Sequence, residues 1–195
     1  MDTFEELAIR ILLSIYFIGF ILKNMITVRR TKQAIRGKSG KVNLVIFNSI
    51  ILGIIGIFFH PDYFLWIKIL DFSAIKIMGL VIISLACVLG ISTLITMKDS
   101  WRVGIRPEQK TDLITNGIFK LSRNPYFLSF NLMFLGIFLV YPTLVYLIFY
   151  LTFIIILHLI IMDEEKHLIK QHGDLYKNYK ASVNRYFSLR FRNKR

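Results

Sequence analysis

The 195-residue chain has a single cysteine, Cys87, so no disulfide can close within it. It is poor in negative charge: 12 Asp and Glu stand against 25 Lys and Arg, for a formal net charge of +13. It has no glycine-rich phosphate loop and no Ser-His-Asp set. His167 and His172 are five apart and fall on different helix faces, so no metal is expected. What is abundant is apolar surface: 55% of residues are hydrophobic and the mean hydropathy is +0.57. A single domain this small cannot bury that much, so lipid must cover part of it. The basic residues lie between apolar runs rather than on one soluble face. They therefore point to anionic membrane lipid as a partner, not to nucleic acid. Cys87 sits inside an apolar run, where a buried, inert thiol is expected. The first apolar run follows acidic Asp2, Glu5 and Glu6 and no small-residue site ends it, so no cleavable signal is expected.

A helical span needs roughly 20 apolar residues to cross a hydrocarbon core of about 30 Å. Five runs serve: Leu7 to Val28, Leu44 to His60, Ala74 to Met97, Tyr126 to Tyr141 and Thr143 to Met162. Arg10 and Lys23 lie near the ends of the first, where they can snorkel. The second is short. The fourth is short too, which predicts an earlier start or packing against protein. Pro142 separates the last two and predicts a tight hairpin. The expected fold is all-α, a polytopic membrane protein of about five transmembrane helices with a C-terminal helical hairpin and a cytosolic tail helix. Six basic residues fall in Arg29 to Lys41, six in Lys98 to Arg123 and nine in Lys166 to Arg195, but only Lys68 in His60 to Ser73. An odd span count puts all three rich segments on one side, with the N-terminus outside and the C-terminus cytoplasmic. Pro61 to Phe72, with Tyr63, Phe64 and Trp66, reads as an interfacial segment, and Gly37 to Gly40 as a loop tip. The division expected is a three-span region (1–97), a cofactor-binding region holding the hairpin (98–187) and a basic tail (188–195).

Two polar blocks flank the hairpin, Trp101 to Pro125 and Asp163 to Arg185, and a hairpin brings its ends together. Asn116-Gly117 signals a turn. Arg123-Asn124-Pro125 has two readings. One is a capped helix start with a snorkelling arginine. The other is an anion site, in which free N–H groups and the Arg123 fork favour negative charge. In the second block, Asp163-Glu164-Glu165 would oppose the macrodipole if the helix stopped there, so it is expected to continue to about Gln171. His172-Gly173 then suggests a C-cap, with Tyr176 and Tyr179 beyond it. Carboxylates at the membrane surface beside a basic block are poised for a cationic ligand.

The ordered set Leu113-Ile114-x-x-Gly117-x-Phe119-x-x-x-Arg123-Asn124-Pro125-x-Phe127, an apolar hairpin, then Glu164-Glu165-x-x-Leu168 with Gly173, Tyr176 and Tyr179 resembles the isoprenylcysteine carboxyl methyltransferase family. Its wider relatives are the phospholipid methyltransferases, and Ser100 to Ile105 looks like prokaryotic members. The resemblance covers residues 98 to 187. It implies S-adenosylmethionine as methyl donor, held by Leu113, Ile114, Gly117, Phe119, Arg123, Asn124, Pro125, Phe127, Glu164 and Glu165. Arg123 and Glu165 are the expected catalytic pair, with Glu165 as base where a thiol or amine must lose a proton. Asn124 stands where the family commonly has histidine, and Phe119 and Phe127 where it has tyrosines. Ile160 stands in place of an arginine, a loss that Arg102 or Arg106 could make good; Trp101, Arg102 and Arg106 are the expected substrate residues. The acceptor would be a lipophilic small molecule, such as an isoprenylcysteine-like carboxylate or thiol, in a prokaryotic plasma membrane. Two alternatives stay open: a reductase of related architecture and a non-catalytic membrane scaffold or lipid-binding protein.

Overall fold

The computed structural model describes residues 4–37, 73–109 and 111–188. The second apolar run, the aromatic segment after it and most of the Gly37–Gly40 loop tip lie outside the described residues. The described part is helical: α1 (Phe4–Thr31), α2 (Ser73–Met97), α3 (Pro125–Val140), α4 (Leu144–His172) and α5 (Asp174–Ser182). Among the described residues there is no β-strand, and an isolated parallel bridge pairs Arg36 with Val103.

Each long helix is apolar all round, and burial alone separates its two faces. On α1 the buried residues Ile9, Leu13 and Tyr16 recur at helical spacing, while Leu7, Ile11, Ile15, Ile18 and Leu22 are exposed. Exposed apolar residues at that density are lipid-facing. Three helices, α1, α2 extended by its 3₁₀ turn to Ser100, and α4, are long and apolar enough to cross a membrane. The chain is therefore a membrane protein of helices. Glu5 and Glu6 in the first turn of α1 and Arg29 and Arg30 in the last complement its dipole. Lys23 does more than snorkel: its Nζ donates to the Lys98 carbonyl at 2.7 Å, tying α1 to the end of α2.

At 16 residues α3 rises only about 24 Å. It compensates by packing against protein, as its length predicts, with Tyr126, Met133, Phe134, Ile137 and Val140 all buried. The helix begins at Pro125, but Asn124 does not cap it with its side chain. That side chain turns away to Glu165 and to the Arg185 carbonyl, so the expected cap gives way to a longer-range contact. After Val140, Tyr141-Pro142-Thr143 makes the turn, and Thr143 Oγ1 accepts from the Tyr146 N–H. The chain returns as α4, 29 residues and about 43 Å long, more than a bilayer core requires. Its apolar stretch ends at Met162; Asp163–His172 continues the helix beyond the membrane-spanning part, as the dipole argument requires. Gly173, at φ +55°, stops it in the left-handed region that favours glycine.

The tightest packing joins α2 to α3. A Cβ on Gly79 would meet the Gly136 carbonyl oxygen at 2.8 Å, and a Cβ on Gly136 would meet that of Gly79 at 2.8 Å. Where lipid offers no hydrophobic drive between helices, such close backbone approach is a main source of association. Tyr16 crosses over Gly90, reaches Ser129 with its phenol at 2.7 Å, and so ties α1 to α3 across α2. Cys87 is buried beneath it, its thiol directed to the Leu12 carbonyl. Gly136→Ala pushes a methyl into backbone that cannot move aside. We expect it to lower stability by about 1–3 kcal/mol, read as a reduced thermal midpoint of the detergent-solubilised protein.

Candidate functional site

The hairpin brings the two polar blocks together at one end of the bundle. Arg123, in the loop before α3, donates from Nε (3.1 Å) and Nη2 (2.7 Å) to Glu165 on α4. The Arg123 Nη1 donates to the carbonyls of Lys180 (3.1 Å) and Val183 (2.6 Å), and its main-chain N–H to that of Asn184. From the tail after α5, Arg185 closes on the same carboxylate, Nη2 to Oε2 at 3.0 Å and Nε to Oε1 at 3.2 Å. Glu165 thus sits between two guanidiniums with only 3% of its surface exposed. Burial works to raise its carboxyl, but the hydrogen bonds from Arg185 and Arg123 outweigh it and hold Glu165 below the ordinary carboxylate range. The tail is fixed at further points: Ser188 N–H to the Leu121 carbonyl, Ser122 Oγ to the Arg185 carbonyl, and His158 Nδ1 with the Tyr186 phenol at 2.6 Å. Tyr176 and Tyr179 are buried against Phe119, and the Tyr179 phenol donates to the Phe119 carbonyl at 2.6 Å.

Two cavities adjoin this knot. The larger, about 250 Å³, is apolar and aromatic, enclosed by α1 (Tyr16, Phe17, Phe20), Trp101, α3 (Tyr126, Phe127, Phe130) and Ile160. The smaller, about 100 Å³, is mixed and the more polar of the two, lined by Asp112, Leu113, Ile114, Arg106, His167 and Gln171 among others. They share wall residues, including Arg102, Phe119, Arg123, Asn124 and Glu164. Neighbours in sequence, Glu164 and Glu165 point to different surroundings. Glu164 lines both cavities and, among the described residues, forms no hydrogen bond or ion pair. It lies past the apolar stretch of α4. Burial, and behind it the like charge of Glu165, push its carboxyl up to about 7.

The expected site residues divide accordingly. Leu113 and Ile114 line the polar cavity, Pro125 and Phe127 the apolar one, and Phe119, Arg123, Asn124 and Glu164 both. Gly117, at φ +57°, makes the turn into a short 3₁₀ segment and lines neither cavity. Glu165 also lines neither: its carboxylate is engaged by Arg123 and Arg185, so the geometry moves the free carboxylate from Glu165 to Glu164. Nor is Arg123 an open anion fork, since four hydrogen bonds engage it. Trp101 walls the apolar cavity, its indole N–H held by Asn24 Oδ1 at 2.7 Å. Arg106 is paired with Glu108 at 2.6 Å and bonds to the Ala34 carbonyl. Arg185 and Tyr16 escaped the sequence reading. The Tyr126 ring meets Trp101 edge-on at 4.7 Å and Phe130 at 5.1 Å, a contact no local pattern announces.

The family model that matches is phospholipid methyltransferase, over residues 74–174. The chain belongs to this family. No curated protein matches it. The match takes in the whole hairpin and the Glu164–Glu165 pair, and it reaches back across α2, whose Met97 lines both cavities of this phospholipid methyltransferase family member. Membership supports methyl transfer as the activity and a membrane as its setting.

Replacing Glu165 by Gln leaves the buried Arg123 guanidinium facing the part-exposed Arg185 guanidinium without a counter-charge. We expect a loss of about 3 kcal/mol or more in stability, seen as a lowered thermal midpoint, because the carboxylate joins three segments of the fold.

Proposed function

We propose that the protein is an integral membrane methyltransferase that uses S-adenosylmethionine to methylate a lipophilic acceptor, such as an isoprenylcysteine-like carboxylate or thiol. The observation that carries this reading is the pair of cavities, one polar and one apolar, with Glu164, Asn124 and Arg123 in both walls. A water-soluble donor suits the polar cavity and a greasy acceptor the apolar one. The residues in both walls lie where the two reactants would meet. The donor supplies an activated methyl group on a sulfonium, together with an amine and a carboxylate.

This chain's part is to bind, align and exclude water. Glu164, with no partner of its own, holds the cationic side of the donor. Leu113, Ile114 and Phe119 cover its apolar parts. Glu165 acts at one remove: fixed between two arginines, it holds Arg123 and Asn124 in the wall. A carboxylate acceptor needs no base. A thiol or amine does, and Glu164, not Glu165, then has the free carboxylate to accept the proton. With the N-terminus outside and the polar cavity facing the cytosol, the donor arrives from water and the acceptor sideways from the bilayer.

The sign of the pH dependence follows from Glu164. A carboxyl near 7 is largely neutral at pH 6 and largely ionised at pH 7.5, so affinity for the cationic donor rises by about five- to tenfold over that interval. Above about pH 8 the donor's own α-amine loses its proton and the gain reverses. Isothermal calorimetry with S-adenosylmethionine across this range tests both limbs. In Glu164→Gln affinity falls about tenfold or more at pH 7.5 and the rising limb disappears. Unchanged affinity in that variant would remove the reading.

A further inference from the structure

The geometry points to Arg102 as a specificity-determining residue of the apolar cavity, one that recognises an oxyanion, carboxylate or phosphate ester, on the lipophilic acceptor. This rests on the reading of that cavity as the acceptor's site.

Arg102 lies at the edge of both cavities, in the loop that follows α2. Its guanidinium is held in place from one side. Nε donates to Gln109 Oε1 at 2.6 Å, and Nη1 to the carbonyls of Asp99 (2.8 Å) and Trp101 (2.7 Å). Among the described residues Nη2 has no acceptor. None of these partners is charged, and among the described residues no carboxylate pairs with it; the Asp99 carboxylate acts on it only from beyond ion-pair distance, and the Arg106 guanidinium opposes it. The other guanidiniums of the site are satisfied differently: Arg123 and Arg185 share Glu165, and Arg106 has Glu108. Among the described residues Arg102 alone of the four has fixed orientation without an ion pair. A half-buried cation in that state, beside an apolar chamber, favours an anion that arrives with a greasy body. Ile160, on the same cavity wall, supplies no polar group. The N–H groups left over are both on Nη2 and fixed in direction, and a charged donor so placed favours an anionic oxygen over a neutral hydroxyl.

The test compares three twelve-carbon probes at pH 8: dodecanoate, dodecyl phosphate and dodecanol. Binding is read from Trp101 fluorescence in a Trp66→Phe background, the chain having two tryptophans, and from the shift in thermal midpoint. Partition into detergent is the same for every variant, so ratios between variants report the protein. The parent is expected to prefer at least one anion over dodecanol by about tenfold or more. Arg102→Gln should bring the probes to within about twofold of one another, and Arg102→Lys, which keeps the charge, should retain most of the preference. The larger of the two anion preferences tells carboxylate from phosphate ester. S-adenosylhomocysteine binding, measured alongside, should fall by less than the anion preference does, since Arg102 also borders the polar cavity. An equal loss for all three probes assigns Arg102 to the fold and overturns the proposal. A fall in S-adenosylhomocysteine binding as large as the loss of anion preference assigns it to the donor and overturns it equally. Absence of any anion preference, or of any probe binding, in the parent overturns it as well. S-adenosylhomocysteine affinity in the parent then reports separately on whether the methyltransferase reading stands.

Discussion

The buried carboxylate of Glu165 is the constraint on which the rest of the site depends. It takes hydrogen bonds from Arg123 before α3 and from Arg185 after α5, so three segments distant in sequence meet at one charge. A charge so enclosed is tolerable only when its partners are complete. With them in place, the Arg123 side chain is free to organise the carbonyls of Lys180 and Val183, and the tail is drawn over the mouth of the hairpin. The helices alone would leave α3 and α4 as two antiparallel rods; the Glu165 knot fixes their ends and the walls of both cavities.

Much of the fold was legible in the sequence because lipid imposes a simple rule on it. Apolar length and the placement of lysine and arginine are enough to find α1, α2 and α4, and Pro142 is enough to find the hairpin. The continuation of α4 to His172 followed from the dipole alone. The site was legible only as a neighbourhood. A Glu-Glu pair in a helix points its two side chains about 100° apart, so the motif says that one carboxylate faces a cavity and not which. Packing decides it, and gives the cavity to Glu164. The part of Arg185 was hidden for a different reason: it lies 20 residues from Glu165 in a basic tail, where one arginine resembles the rest until the chain has folded. Asn124 misled in the opposite sense. Its local signal is a cap, and the structure uses it for a contact forty-one residues away.

On the proposed reading, the division of labour between adjacent glutamates solves a chemical conflict. One residue cannot be both a fixed strut and an exchangeable ligand, because a carboxylate saturated by arginines has nothing left to give to a passing cation. Placing the two functions on successive residues of one helix lets the strut hold the ligand's backbone rigid. The same logic separates Arg123, which is structural in its bonds, from Arg102, whose outer nitrogen is left open.

The brevity of α3 also bears on the surroundings of the protein. A helix about 6 Å shorter than the hydrocarbon core cannot match an unperturbed bilayer where lipid meets it, so the leaflet beside it must thin, at a cost that grows with each ångström of mismatch. Its first residues, Pro125 to Phe127, wall the apolar cavity. On the proposed reading, an acceptor anchored by its tail reaches that wall more readily where the leaflet is thin, and membrane thickness becomes one of the variables that govern turnover.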